Sequence, residues 1–232
     1  MRRMLLVAHG SPDPRHAAVL RSAVAAVPDD LGLELAFLEH DRPRAGGRLA
    51  DLAERTSDPV GLVGALLAPG HHARHDLPSL ASAAPGRVDH LGLLGAGPWL
   101  HPVLDELVAG VGGGDEAPVL LVTAGSVRRE AAAYLSAAVR AWSRTRRGGV
   151  ALCPPARLAE VEATGETVVV PLLLAPGVLS DRTARTASEL GLRATTVLGL
   201  AGGFPVALAG RLRELARAAP SENPVDLATA VR

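Results

Sequence analysis

The sequence predicts an α/β protein built from two similar, doubly wound parallel-sheet domains. Short runs of Val, Leu and Ala alternate with amphipathic stretches along the 232 residues. The apolar runs do not alternate polar with apolar residues, which is typical of parallel strands covered by helices on both faces. The same succession of segments then occurs twice, which indicates a duplicated unit.

Three pairs of segments carry this repeat. They are MLLVAHGS (4–11) with VLLVTAGS (119–126), GALLAPGHHARHD (64–76) with PLLLAPGVLSDRT (171–183), and LGLLGAG (91–97) with TVLGLAG (196–202). The pairs keep the same order and a nearly constant offset of roughly 105–115 residues. We therefore predict an N-terminal domain over 1–111, a C-terminal repeat over 117–218, a glycine-rich linker at 110–118 and a loosely held tail at 219–232.

Each predicted strand is a Val/Leu/Ala run, and each predicted helix is an amphipathic stretch that follows one. In the first unit the strands lie near 3–8, 33–38, 60–67 and 88–94, and the helices near 13–27, 45–56, 77–84 and 99–110. In the second unit the strands lie near 118–123, 149–153, 166–174 and 193–199, and the helices near 127–145, 155–161, 181–190 and 204–217.

Composition argues against several classes of protein. The 24 basic and 24 acidic residues balance, so no nucleic-acid partner is expected. The single cysteine, Cys153, has apolar neighbours and is expected to be a buried structural thiol. No apolar run approaches the roughly 20 residues of a membrane span, and MLLVA is too short for the core of a signal peptide. We expect a cytoplasmic protein with no membrane partner.

Polar side chains stand where three strands of the first unit end. His9 ends the first strand, Glu39 the second, and His72 follows the third. Ligands of open parallel sheets bind beyond the carboxyl ends of the strands, so these groups are predicted to share one edge. The second unit has Ala124 and Leu179 in place of the two histidines. One site per chain, in or facing the N-terminal half, is therefore expected.

These segments resemble the sirohydrochlorin chelatases of the CbiX/SirB type, within the class II chelatase superfamily. The resemblance rests on LLVAHGSPDPR (5–15), AFLEHDRP (36–43), LLAPGHHARHDLP (66–78) and VPLLLAPGVLSDR (170–182). Gly70, His72, Asp76, Leu77 and Pro78 fit the family's Gly-x-His-x-x-x-Asp-hydrophobic-Pro pattern. The resemblance implies two chelatase-like domains facing a central cleft, sirohydrochlorin and a divalent metal as substrates, and no cofactor beyond that Fe2+ or Co2+.

In such a reaction His9 and His72 are expected to bind the metal or accept a proton, assisted by Glu39. Imidazole binds ferrous iron and cobalt reversibly and titrates near neutral pH. The sequence leaves open which histidine does which. The substrate is a polyanion, so its carboxylates are expected to meet the side chains Ser11, Arg15, Arg74, His71 and His75. A duplicated chain is already a pseudo-dimer, which is compatible with a monomer.

Some of these residues suit other roles. His71 and His75 are four residues apart, a spacing at which two helical histidines can bind a metal, but Pro69 and Gly70 before them favour exposed loop histidines. Asp76 is predicted to cap the helix that starts near Leu77. No partner in the sequence is evident for His40, His90 and His101, which are interpreted as surface or packing residues. His16, in the first predicted helix, is expected to be exposed.

Three rival functions stay open. A phosphohistidine phosphatase or mutase also begins with a strand and a His-Gly, but it needs an arginine where this chain has Ala8. A non-catalytic metal or tetrapyrrole carrier could use the same scaffold. Within the chelatases, iron is slightly preferred over cobalt by analogy with longer family members, and the residues suit either metal.

Overall fold

The computed structural model describes residues 3–124 and 129–218, which form two four-stranded parallel sheets. The first contains β1 (Met4–Ala8), β2 (Leu33–Phe37), β3 (Val60–Gly64) and β4 (Val88–Leu93), in the order β2-β1-β3-β4. The second contains β5 (Val119–Val122), β6 (Val150–Cys153), β7 (Val168–Pro171) and β8 (Arg193–Ala194), in the order β6-β5-β7-β8. The shared strand order is what a duplicated unit predicts, and the α/β fold class is confirmed.

Helices follow the strands in both halves. They are α1 (Pro14–Ala25), α2 (Ala45–Glu54), α3 (His71–Arg74), α4 (Asp76–Ala83), α5 (His101–Gly110), α6 (Arg129–Ser143), α7 (Val178–Glu189) and α8 (Phe204–Arg217). Among the described helices, none is long and apolar enough to cross a membrane. The cytoplasmic location expected from the sequence stays a prediction.

The packing divides the chain into two compact units. Of the described residues, one unit contains those up to Gly95 together with Leu208–Ala218, and the other contains Ala96–Ala207. Residues 110–118 therefore lie inside the second unit, and α5 belongs to that unit as well. The domain boundaries 1–111 and 117–218 rest on the sequence repeat and stay a prediction. The tail 219–232 lies outside the described residues.

The core of the first unit fixes the segment that carries His72. Every residue of β1 and β3 is buried, as strands covered on both faces should be. A Cβ on Gly64 would lie 2.5 Å from Leu77 Cδ1 and 2.7 Å from Leu93 Cδ2, so α4 can pack this closely only over a glycine. Leu77 is fully buried there, which contributes about 1.5–3 kcal/mol to folding.

Some predicted elements differ from the structure. The helix predicted over 155–161 is a 3-10 helix, Pro155–Glu160. The strand predicted over 193–199 is only Arg193–Ala194, and the chain then turns through a 3-10 helix at Leu198–Leu200. Residues 127 and 128 of the predicted helix 127–145 lie outside the described residues. The buried state expected for the Cys153 thiol is confirmed.

Candidate functional site

Two adjacent parallel strands bring His9 and His72 together. His9 directly follows β1, and His72 lies in α3, which follows β3. Their ring centroids are 4.3 Å apart and the ring planes meet at 62°. Both residues are partly buried. The sheet thus turns two histidines that are distant in sequence into a pair at the carboxyl edge of one sheet, as the strand-end argument predicts.

The distance between these rings suits a shared ion. Two imidazoles bound to one ion at ~2.1 Å and at a right angle would have ring centroids about 4.5 Å apart. The 4.3 Å separation of His9 and His72 is close to that value. Among the described residues, no group of three or more His, Cys, Asp or Glu is arranged to hold an ion. An ion held by this pair would have most of its positions free for water or another ligand.

A carboxylate holds the His72 ring in place. The His72 Nδ1 atom lies 2.5 Å from Asp76 Oδ2, and since a carboxylate only accepts, Nδ1–H is the donor. Nε2 of His72 is then the ring nitrogen with a lone pair for a cation or a proton. The predicted capping role of Asp76 is wrong. The residue before α4 is His75, with no side-chain cap, because the Asp76 carboxylate turns to the imidazole one turn earlier.

His9 is oriented in the same sense. Its Nδ1 lies 2.9 Å from the carbonyl oxygen of Gly10, which can only accept, so Nδ1 carries the proton here too. The neighbouring glycine has a φ of +93°, and a Cβ at this position would overlap the Glu39 carbonyl oxygen. The backbone N–H of Glu39 donates to the His9 carbonyl at 2.8 Å. Gly10 thus allows the ends of β1 and β2 to approach each other directly behind the histidine.

Glu39 lies at this edge, but its carboxylate is directed to a different histidine. Glu39 Oε2 is 3.6 Å from His40 Nε2, and its side chain is 58% exposed. The His40 ring is 6.2 Å from the His9 ring. His40 therefore lies between the Glu39 carboxylate and the His9 ring. The sequence interpretation of His40 was a surface or packing residue. The signal that could have identified it is its place beside a carboxylate at the end of a strand.

A second histidine missed from the sequence lies behind His9. His16, expected to be exposed, is partly buried in α1, and no described group hydrogen-bonds to its buried Nδ1. Burial lowers the pKa of His16, Asp41 opposes that shift, and the nearby His9 adds to it. The lowered pKa of His16 favours its neutral form beside the site. The signal in the sequence was the four-residue spacing between His16 and the buried Leu20, which places both on one face of α1.

The predicted substrate contacts differ in their surroundings. Ser11 accepts a bond from the Asp13 N–H, and its own N–H donates to Asp41 at 3.2 Å. Asp13 caps α1 and pairs with the exposed Arg15 guanidinium, which lowers the pKa of the Asp13 carboxyl. Arg15 therefore already neutralises one carboxylate before any substrate arrives.

The other three predicted contacts cluster on α3. Arg74 is partly buried, and His71 and His75 are exposed. The rings of His71 and His75 have centroids 4.5 Å apart, and the His71 ring is 5.8 Å from His72. Tetrapyrrole binding by these residues, and by Ser11 and Arg15, stays a prediction.

The second unit keeps the turn and lacks the imidazoles. Gly177 donates its N–H to the Ser180 hydroxyl at 2.9 Å, which closes the start of α7 after β7. Val178 there is 83% exposed, where the first unit has His71. The sheet edge of the second unit is therefore built like the first but offers no comparable ligand pair among its described residues.

Comparison with known proteins supports this assignment of fold. The chain has a TM-score of 0.75 with the sirohydrochlorin chelatase SirB from Bacillus subtilis subspecies spizizenii in complex with cobalt, at 23% identity over 93% of this chain and 96% of that one. For SirB from Bacillus subtilis with Fe3+ the TM-score is 0.74, at 21% identity over 94% and 96% of the chains. A multi-domain Deinococcus radiodurans protein with structural similarity to chelatases matches at 0.63 and 19% identity, over 93% of this chain and 54% of that one.

No curated protein matches the sequence. The family comparison does match, and the match covers residues 3–111, the part of the chain that contains His9, Glu39 and His72. Both four-stranded sheets have the chelatase-like arrangement. The family model matched over these residues is CbiX.

Proposed function

We propose that this protein is a sirohydrochlorin chelatase, which inserts a divalent metal into the reduced tetrapyrrole, with Fe2+ slightly preferred and Co2+ as the alternative. The observation that carries the proposal is the His9–His72 pair, with ring centroids 4.3 Å apart and both Nδ1 atoms already donating. Such a pair presents two Nε2 lone pairs at the edge where parallel sheets bind ligands. The preference for iron rests on analogy with longer family members.

Insertion makes two demands that this arrangement can meet. The ion must exchange water for ligands and then leave, which two imidazoles allow better than a closed four-ligand site. The macrocycle must also lose two pyrrole N–H protons. A neutral imidazole or the exposed Glu39 carboxylate can accept a proton and pass it to solvent.

The experiment is an anaerobic insertion assay. Purified protein is mixed with sirohydrochlorin and, separately, with Fe2+, Co2+ or Ni2+, and the visible spectrum gives the rate above the uncatalysed background. We expect enhancement for wild type, its loss in His9→Ala and His72→Ala, and its retention in His101→Gln, a histidine in the second unit. Tight tetrapyrrole binding with no enhancement for any metal would refute the enzyme and support a carrier.

A further inference from the structure

His71 and His75 form a second pair of imidazoles on the outer side of His72. His71 is the first residue of α3, and His75 is its C-terminal cap, whose N–H donates to the His71 carbonyl at 3.0 Å. That bond fixes the helical turn between them. Both side chains are exposed, and their ring centroids are 4.5 Å apart with planes inclined at 34°.

We propose that His71 and His75 form an outer divalent-cation site that takes up Fe2+ or Co2+ and delivers the ion to His9 and His72. Two imidazoles bound to one ion at a right angle would have ring centroids about 4.5 Å apart. The ring centroids of His71 and His75 are 4.5 Å apart. An i,i+4 pair on one helical turn is a known geometry for such binding. The ion is the substrate metal, so the role of this site rests on the proposed function.

The position of the pair suits delivery. The His71 ring is 5.8 Å from the His72 ring, which is in turn 4.3 Å from the His9 ring. His72 thus lies between the exposed His71–His75 pair and His9. An ion can move from one pair to the other by exchanging one imidazole at a time, with water filling the remaining positions.

A delivery site must bind weakly, and this one has the features of a weak site. It has two protein ligands, both exposed, and the described residues contain no third His, Cys, Asp or Glu that completes an ion site there. Ligation by two imidazoles also selects iron, cobalt and nickel over magnesium and calcium, which prefer oxygen.

The test is a count of bound ions. Co2+ binding is measured by equilibrium dialysis without tetrapyrrole, for wild type, His71→Ala/His75→Ala and His9→Ala/His72→Ala. We expect two Co2+ ions per wild-type chain and one per chain in each double variant. The ion lost in His71→Ala/His75→Ala should be the more weakly bound of the two. Each single substitution, His71→Ala or His75→Ala, should remove that ion as completely as the pair, because neither imidazole holds it alone.

A matched control moves the pair to the second unit. Val178→His/Arg182→His places two histidines at the corresponding exposed positions of α7, which has no inner pair behind it. This variant should bind one additional ion and leave the KM for the metal unchanged. His71→Ala/His75→Ala should instead raise that KM about tenfold, a typical change when a metal site is disturbed, and should raise it more than it lowers kcat.

Two results would overturn the outer site. In the first, His71→Ala/His75→Ala binds as many Co2+ ions as wild type with the same Kd. In the second, that variant loses an ion but its KM for the metal is unchanged, which would refute delivery. The dialysis needs no turnover, so an inactive wild type that still loses one ion with the pair would refute the chelatase and leave the binding site standing.

Discussion

Removing the Asp76 carboxylate should weaken metal binding at His72 without unfolding the protein. The carboxylate accepts the His72 Nδ1–H at 2.5 Å and so holds the ring with Nε2 available. Hydrogen bonds to charged groups contribute about 1.5–3 kcal/mol, and exposure reduces that. The Asp76 side chain is 39% exposed, so we take about 1.4 kcal/mol, which is about tenfold in affinity.

We expect Asp76→Ala to weaken Co2+ binding at the His9–His72 pair about tenfold, within the usual range for partners that orient a ligand. Asp76→Asn keeps an oxygen that accepts the same bond without the charge, so its loss should be about threefold. The assay is equilibrium dialysis in the His71→Ala/His75→Ala background, so that a single site is followed. Asp51→Asn, an exposed carboxylate on α2, is the control and should bind as wild type does.

Co2+ affinity at the His9–His72 pair should fall in the order parent, Asp76→Asn, Asp76→Ala. The reasoning fails if Asp76→Ala binds Co2+ as tightly as the parent while its urea unfolding curve shows an intact fold. It also fails if Asn is as damaging as Ala, because the amide oxygen would then not be accepting the imidazole proton.

Three further outcomes follow from local structure. Gly10→Ala adds a left-handed strain of about 1–2 kcal/mol to an overlap with the Glu39 carbonyl, so its Tm should fall by roughly 4 °C or more. Gly47→Ala, at an exposed position of α2, should raise Tm, and equal effects of the two substitutions would refute the steric argument. Burial lowers the pKa of His90 from 6.5 to about 4, so between these pH values the unfolded state binds more protons, and the free energy of unfolding falls by about 2 kcal/mol as pH falls from 6.5 to 4. His90→Leu should flatten the pH dependence of the free energy of unfolding measured in urea, and an unchanged slope against pH would contradict this. Burial raises the pKa of the Cys153 thiol, so a disulfide reagent should modify it about 100-fold more slowly in the native protein than in urea, and equal rates would show an accessible thiol.

The sequence was informative about this site where topology alone decides positions. In a parallel sheet the ends of neighbouring strands share an edge, so placing His9 and His72 after β1 and β3 was enough to predict that they lie close together. No side-chain detail was needed for that step. Glu39 was placed at the same edge by the same argument, and its backbone bond to the His9 carbonyl agrees with it.

Sequence reasoning failed where two local interactions compete for one side chain. Asp76 stands before an apolar helical stretch, which is the pattern of a capping residue. It also stands four residues after His72, which is one helical turn, and a charged contact with an imidazole is stronger than a cap to a backbone N–H. The direction of the Glu39 carboxylate towards His40 likewise depends on the loop that follows β2, where His40 itself has a φ of 58°.

The repeat shows which residues make the first unit different. In the second unit the helix after β7 is continuous, Val178–Glu189, whereas in the first unit the corresponding stretch breaks into α3 and α4 at His75. Pro78 accounts for the break, because it has no N–H to donate to the Arg74 carbonyl and its ring crowds that oxygen. The same stretch bears His72 and its Asp76 partner, and it ends against Gly64 through Leu77. The scaffold common to both units therefore forms the sheet edge, and the Pro-broken segment of the first unit adds His72 and Asp76 to it.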